Sequence, residues 1–153
     1  MKIFDSDASQ KDIFHEVEGV VDAVMNGFNG TIMAYGQTSA GKSFTMEGPS
    51  LFDTTSQGVI SRSVEKLFYL ISQSDSAIEF NISVSYMEIY CEKLRDLLNP
   101  TQADMKIRES KPEGFIVQDN REITCSDREG VFKVLELGKT NRGINSIFYS
   151  SEV

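Results

Sequence analysis

Residues 36–43 decide the fold and read Gly36-Gln37-Thr38-Ser39-Ala40-Gly41-Lys42-Ser43. This stretch matches G-x-x-x-x-G-K-[ST], the pattern of a loop that binds phosphate groups. It follows the short apolar run of residues 31–35, which predicts a strand buried on both faces. A strand before the loop is the context that the pattern requires. We therefore favour a phosphate-binding loop over a simple glycine turn between a strand and a helix.

The residue types in this loop suit phosphate chemistry. Gly36 and Gly41 let the backbone turn tightly, so that successive N–H groups point at phosphate oxygens. The Lys42 ammonium is expected among the β- and γ-phosphates of a nucleotide, and the Ser43 hydroxyl is the predicted ligand of Mg²⁺. The residues of the loop predicted to bind nucleotide are Gly36, Gln37, Thr38, Ser39, Ala40, Gly41, Lys42 and Ser43.

The rest of the chain predicts alternating helices and strands, and hence an α/β fold. Apolar residues at three- and four-residue steps predict amphipathic helices over residues 9–28 and 59–71. Ser9 and Asp12 form a predicted capping box for the first helix, and period-two alternation predicts a strand over residues 78–86. The other predicted elements are a helix at 92–98, strand pieces at 105–108, 115–117 and 122–124, and a helix from a Ser126–Glu129 capping box to about Gly138.

Composition and charge place the chain among ordinary globular proteins. It has 153 residues, 40% hydrophobic and 25% charged, which suits one domain or part of a larger one. The 15 Lys and Arg against 23 Asp and Glu give a net charge of −8, so neither nucleic acid nor an anionic membrane is an expected partner. No apolar run approaches the roughly 18 residues of a membrane span. With two lone cysteines and no signal-peptide core, a cytoplasmic location is expected.

Hydrolysis of a nucleotide also requires an acidic residue that helps to hold Mg²⁺. The one D-x-x-G pattern downstream of the loop begins at Asp127, and no apolar strand precedes it. We therefore interpret Asp127 as an acid in the first turn of a helix, where the helix dipole favours it. His15 has no second histidine or nearby cysteine with which to share a metal, so no metal site is predicted there. The sequence predicts a nucleotide-binding loop without a recognisable second half of a hydrolytic site.

Three segments carry a resemblance to one protein family. The family is that of kinesin motor domains, and residues 29–48 are similar to its phosphate-loop signature. Residues 58–62 resemble the opening of the family's next helix, and residues 84–98 resemble a strand of the family with the short helix that follows it. Ser61 stands where proline is common in the family. Phe44 matches the family position that flanks the nucleotide base and joins the predicted nucleotide-binding residues.

The resemblance covers about residues 4–142 and implies that residues 1–153 are the phosphate-loop half of a kinesin motor domain. The implied fold is an α/β P-loop NTPase with a central mixed sheet and flanking helices, incomplete in this chain. The implied cofactors are ATP or ADP and Mg²⁺, and the implied partners are microtubules, with a location on the cytoplasmic cytoskeleton. The family activity is ATP hydrolysis that drives microtubule-based movement.

Parts of the family pattern are not matched. The Arg-x-Arg-Pro strand end and the second switch, Asp-x-x-Gly-x-Glu, are absent. Residues 143–153 form a divergent tail in which Glu152 stands where the first switch has arginine, so Ser150 and Ser151 are not assigned as switch residues. Two hypotheses for the function of the chain therefore remain. It is either a microtubule motor module or a truncated non-motor kinesin-like protein with weak nucleotide binding or only protein contacts. An unrelated P-loop kinase or GTPase is disfavoured, because the resemblance over residues 86–98 would have no explanation.

Two expectations concern the chain by itself. Because neither switch is recognisable, we expect weak binding of Mg²⁺-ATP and no turnover stimulated by microtubules. A sheet that is short on one side leaves apolar faces uncovered, so self-association is expected as well.

Overall fold

The computed structural model describes residues 2–51, 53–102, 104–111 and 114–150, with residues 144–150 described by their backbone alone. The chain divides into two compact units, Met1–Phe80 and Asn81–Val153, and each is described by itself. In the described part of the chain, no helix combines the length and the apolar character needed to cross a membrane. Ser151 and Glu152 of the divergent tail lie outside the described residues.

The first unit is built from helices. They are α1 (Gln10–Val17), α2 (Gly19–Met25), α3 (Lys42–Met46) and α4 (Val59–Gln73). The predicted capping box is confirmed, because the Asp12 N–H donates to Ser9 Oγ and the Ser9 N–H donates to the Asp12 carboxylate. The hydrogen bond from the Ser9 side chain also lowers the pKa of Asp12. The helix predicted over residues 59–71 is confirmed as α4.

The single helix predicted over residues 9–28 is divided at Glu18, so that prediction was wrong in the middle of its range. The Glu18 carbonyl oxygen accepts from Val21 N at 3.0 Å and, at the α-helical spacing, from Asp22 N at the longer distance of 3.4 Å. It also accepts from Lys66 Nζ (3.3 Å), so three donors share this oxygen. Lys66 lies on α4 and also pairs with the carboxylates of Glu18 (3.2 Å) and Asp22 (2.7 Å). The break between α1 and α2 is therefore tied to α4 by one half-buried ammonium group.

The run at residues 31–35 was predicted as a buried strand, and this prediction was wrong. Met33 is 80% exposed and Tyr35 is 95% exposed. A strand buried on both faces needs a hydrogen-bonded neighbour on either side, and no described strand pairs with this run. Ile32 instead lines an apolar cavity of about 340 Å³ beside α2 and α4.

The second unit contains, among its described residues, three antiparallel pairs of strands followed by a helix. The pairs are β1 (Ser83–Val84) with β6 (Ile123–Thr124), β2 (Met87–Tyr90) with β3 (Lys93–Asp96), and β4 (Ile107–Ser110) with β5 (Gly114–Val117), and the helix is α5 (Arg128–Ser150). The strand pieces predicted between residues 105 and 124 are confirmed, with shifted ends, as β4, β5 and β6. The long strand predicted over residues 78–86 forms ladder pairs only at β1.

The helix predicted over residues 92–98 was wrong, because β3 lies there. Tyr90 pairs with Lys93, so Cys91 and Glu92 form a two-residue hairpin turn. Both turn residues have left-handed φ angles, 49° and 62°, and a turn with two left-handed residues matches the twist of the strands on either side. The leucine spacing that predicted a helix belongs to a strand that runs into the buried interior of the unit.

The last helix, α5, begins one residue later than the predicted capping box places it and continues beyond its predicted end. Asp127 supplies the cap in place of Ser126, since its Oδ1 accepts from Gly130 N (2.7 Å). Gly138 was predicted as the end of the helix and lies within it. A Cβ atom at Gly138 would lie 2.2 Å from Cδ1 of the Tyr86 ring. Glycine at this position therefore allows the helix to approach the ring.

Gly138→Ala is expected to lower the free energy of unfolding by about 1 to 3 kcal/mol, because the new methyl group overlaps the Tyr86 ring. The matched control is Gly143→Ala in the same helix, where, apart from the nearby backbone of the helix itself, no described atom lies within 4 Å of the added Cβ. There the higher helix propensity of alanine raises stability by up to about 1 kcal/mol. Urea denaturation followed by circular dichroism measures both changes. Equal effects of the two substitutions would contradict the packing role of Gly138.

Candidate nucleotide-binding site

The predicted phosphate loop is an exposed bend that leads into α3. Ala40 N donates to the Gln37 carbonyl oxygen (3.2 Å) and closes a turn in which Ser39 has a left-handed φ of 65°. Gly41 is the N-cap residue of α3 and has a φ of 86°, a conformation that glycine adopts without steric cost. The backbone therefore reverses just before the helix, and residues 36–41 are all exposed.

The Lys42 side chain folds back over the loop. Its Nζ donates to the carbonyl oxygens of Gly36 (2.8 Å) and Gln37 (2.6 Å). A lysine ammonium has three donors, so one N–H remains for a ligand beside the loop. Ser43 follows as an exposed residue on α3. A cation and a hydroxyl are thus presented side by side where the helix begins.

Two of the described contacts hold the five-residue helix α3 from other segments of the chain. At its centre, Gln10 Nε2 of α1 donates to the Phe44 carbonyl oxygen (2.5 Å). Gln10 is only 8% exposed, whereas the Phe44 side chain is 58% exposed. The Gln10 side chain therefore holds the backbone of Phe44, while the aromatic ring of Phe44 stays accessible.

The second contact lies at the end of α3, where two glycines allow a close approach to the start of α4. Gly58 N donates to the Glu47 carbonyl oxygen (3.3 Å). A Cβ at Gly58 would lie 2.5 Å from the Met46 carbonyl oxygen, and one at Gly48 would lie 2.4 Å from the Ser56 carbonyl oxygen. Gly48 also has a left-handed φ of 74°. Only glycine allows these two backbone segments to lie so close.

The loop between α3 and α4 is organised around the Asp53 carboxylate. This carboxylate accepts hydrogen bonds from the Ser56 hydroxyl, from Thr55 Oγ1 (2.7 Å) and from Thr55 N (3.0 Å). The hydrogen bonds from Ser56 and Thr55 lower the pKa of Asp53 to about 2. Arg62 of α4 donates to the carbonyl oxygens of Gln57 (3.0 Å) and Thr55 (3.2 Å). Arg62 therefore holds this loop against α4.

The structure brings the predicted loop residues together and adds three that the sequence did not single out. Gln10, Gly48 and Gly58 support α3 from positions outside the motif. Gly48 and Gly58 lie in the segments that resemble a known family, but nothing local marks them as a packing pair. In the part of the chain that the structure describes, no group of three or more His, Cys, Asp or Glu side chains could hold a metal ion.

An exposed glycine loop that opens a helix with Lys42 and Ser43 is typical of an α/β P-loop NTPase. A sequence model of the family described as "Kinesin motor domain" matches residues 1–152. The chain belongs to the kinesin motor domain family, and its helices and short strands are a fragment of the kinesin motor fold.

Known proteins agree with this assignment. The chain is 44% identical over 142 residues to a kinesin heavy chain of Syncephalastrum racemosum, an alignment that covers 92% of this chain and 15% of that protein. It is 43% identical over 144 residues to a kinesin heavy chain of Drosophila melanogaster, covering 94% of this chain and 15% of that protein. A solved structure of a fast kinesin, described for its ATPase mechanism and its interactions with microtubules, superimposes with a TM-score of 0.91 at 43% identity. That match covers 94% of this chain and 41% of the solved chain. The chain thus spans about a sixth of the length of these curated relatives.

Proposed function

We propose that residues 36–44 bind ATP or ADP with Mg²⁺, and that the chain is the nucleotide-binding part of a kinesin-type microtubule motor. The observation that carries this proposal is the loop itself. Gly41 turns the backbone into α3, and the Lys42 ammonium donates to the carbonyl oxygens of Gly36 and Gln37. Membership of the kinesin family supports ATP hydrolysis and microtubule-based movement as the activity of the whole protein.

The residues present fit a magnesium nucleotide. The backbone amides of this exposed loop suit phosphate oxygens, and the charge of Lys42 opposes that of the β- and γ-phosphates. Mg²⁺ keeps several water ligands and takes few protein ligands, so the single Ser43 hydroxyl is a sufficient contribution from this loop. When bound, Mg²⁺ neutralises negative charge on the phosphate groups. The exposed ring of Phe44 offers an apolar face for the nucleotide base.

Microtubules are the proposed partner, and the cytoplasmic cytoskeleton is the proposed location. Family membership supports both. The net charge of −8 argues against nucleic acid and anionic membranes as partners. Self-association is proposed as well, because Ile89 of β2 and Phe115 of β5 are large apolar residues with high exposure.

One observation favours a second candidate, a non-motor kinesin-like protein that binds nucleotide weakly or only makes protein contacts. Asp127, the acid of the downstream D-x-x-G pattern, accepts from Gly130 N at 2.7 Å and caps α5. A carboxylate used in this way serves the helix rather than a magnesium ion. Phosphate release is measured with and without microtubules. Clear stimulation would exclude the non-motor candidate and contradict the expectation that this chain alone shows no stimulated turnover.

Lys42→Ala is expected to weaken Mg²⁺-ADP binding about 10- to 100-fold, because it removes a charge-assisted contact of about 1.5 to 3 kcal/mol. Isothermal titration calorimetry measures the dissociation constant. The control is Lys133→Ala, which removes the same charge from an exposed pair with Glu129 (3.0 Å) on α5. If Lys42→Ala binds as tightly as the Lys133→Ala control, the proposed loop function is wrong.

A further inference from the structure

We propose that Gln10 is a positioning residue for the phosphate loop. Its side-chain amide holds α3, and with it Lys42, Ser43 and Phe44, in the orientation that a bound nucleotide requires. This role rests on the proposed nucleotide binding and adds to it a residue on a different helix, 34 positions before its partner.

The contact is made by a buried donor on a backbone acceptor. Gln10 is 8% exposed, and its Nε2 lies 2.5 Å from the Phe44 carbonyl oxygen. The same oxygen accepts from Gly48 N (2.9 Å), so the hydrogen bond from Gln10 is added to the normal bonding of the helix. Lys42 and Ser43, the residues proposed to contact phosphate and Mg²⁺, directly precede Phe44. A hydrogen bond that fixes the Phe44 carbonyl group therefore also limits the movement of these two residues.

Gln10 is itself fixed before it reaches α3. It is the first residue of α1, and the capping box of Ser9 and Asp12 sets where that helix begins. Its side chain is therefore presented from a defined helix end rather than from a loop.

Helix α3 needs such support because it is short. It has five residues, and isolated helices below about 12 residues are marginal in water. The close approach of Gly48 and Gly58 holds its far end, which leaves Gln10 as the described side chain that holds its centre. Loss of this hydrogen bond would let the start of α3 move relative to the ligand without removing any group that touches the ligand.

The test compares two glutamine substitutions of the same chemistry. Gln10→Met keeps the length and shape of the side chain and removes the donor. The control is Gln57→Met, since Gln57 is 2% exposed and its Nε2 donates to the Leu51 carbonyl oxygen (3.0 Å), which lies outside α3. Each variant of the full chain is tested for Mg²⁺-ADP affinity by calorimetry. Hydrogen exchange of the Thr45, Glu47 and Gly48 amides, all hydrogen-bonded within or at the end of α3, is measured without nucleotide.

We expect Gln10→Met to weaken Mg²⁺-ADP binding at least about fivefold and to speed exchange of the α3 amides at least about tenfold. Gln57→Met is expected to change neither the affinity nor the exchange rates by more than about twofold. Its loss of thermal stability is expected to be similar to that of Gln10→Met. Wild-type behaviour of Gln10→Met in both measurements would overturn the proposal. So would equal effects of the two substitutions, because they would show a general loss of stability.

The exchange measurement separates this proposal from the proposed function. If the wild-type chain binds no Mg²⁺-ADP, the proposed function fails, while faster exchange in Gln10→Met still supports Gln10 as the residue that holds α3. Unchanged exchange overturns that role whether or not nucleotide binds. If Gln10→Met does not fold, Gln10→Asn replaces it, because asparagine keeps the amide and is one methylene too short to reach the Phe44 carbonyl group.

Discussion

Asp96→Ala is expected to lower the free energy of unfolding by about 3 to 5 kcal/mol, because two charge-assisted hydrogen bonds are lost in the interior. Asp96 ends β3 and is 2% exposed. Its Oδ1 accepts from Leu98 N (2.7 Å), and its Oδ2 accepts from Arg121 N (2.8 Å). The chain between Leu98 and Arg121 contains the β4–β5 hairpin. The Asp96 carboxylate therefore holds the two ends of this segment together.

Two comparison variants make the Asp96 prediction specific. Asp96→Asn keeps the shape but places an amide NH₂ group opposite one of the two backbone donors, so we expect a smaller loss that is still well above 1 kcal/mol. Asp104→Ala removes an exposed carboxylate whose ion pair with Lys93 is long, at 3.6 Å, and is expected to cost at most about 1 kcal/mol. Urea denaturation gives all three values. A loss for Asp96→Ala no larger than that for Asp104→Ala would contradict the role of the buried carboxylate.

Gly48→Ala is expected to lower the free energy of unfolding by about 2 to 5 kcal/mol. A left-handed conformation costs a residue with a Cβ about 1 to 2 kcal/mol, and the φ of Gly48 is 74°. The new Cβ would also lie 2.4 Å from the Ser56 carbonyl oxygen and 2.7 Å from Gly58 N. Both atoms belong to the backbone, so relief of the overlap requires the end of α3 and the start of α4 to separate, at a further cost of about 1 to 3 kcal/mol.

Gly27→Ala is the matched control for Gly48→Ala. Gly27 has a similar left-handed φ of 88°, and beyond its two chain neighbours no described atom lies within 4 Å of an added Cβ there. Its substitution therefore reports the conformational cost alone, about 1 to 2 kcal/mol. The difference between the two variants, measured by urea denaturation, gives the cost of separating the two backbone segments. Equal losses would mean that the close approach at Gly48 contributes nothing to stability.

Features set by neighbours along the chain could be predicted from the sequence. The Ser9–Asp12 capping box and α4 were predicted because each depends on residues within a few positions of one another. The phosphate loop was predicted for the same reason, since its glycines and the Lys42–Ser43 pair follow a fixed spacing, and its function stays a prediction. These features involve hydrogen bonds or turns that form within one short segment.

Features set by distant contacts were predicted wrongly or not at all. The leucine spacing after Glu92 suits a helix, but pairing with β2 and a turn of two left-handed residues make it a strand. Gly138 has the residue type of a helix end, but it lies within α5, where the absence of a side chain leaves room for the Tyr86 ring. The run before the loop has a strand composition, yet no described strand pairs with it.

The sequence by itself determined the family, and it predicts the position and the residues of the proposed phosphate loop, because a motif of fixed spacing carries that information locally. Only the tertiary structure decided how the loop is supported. Gln10 and the Gly48–Gly58 approach reach α3 from other parts of the chain. Their effect depends on distances between atoms that are far apart in sequence, and such distances exist only once the helices have packed.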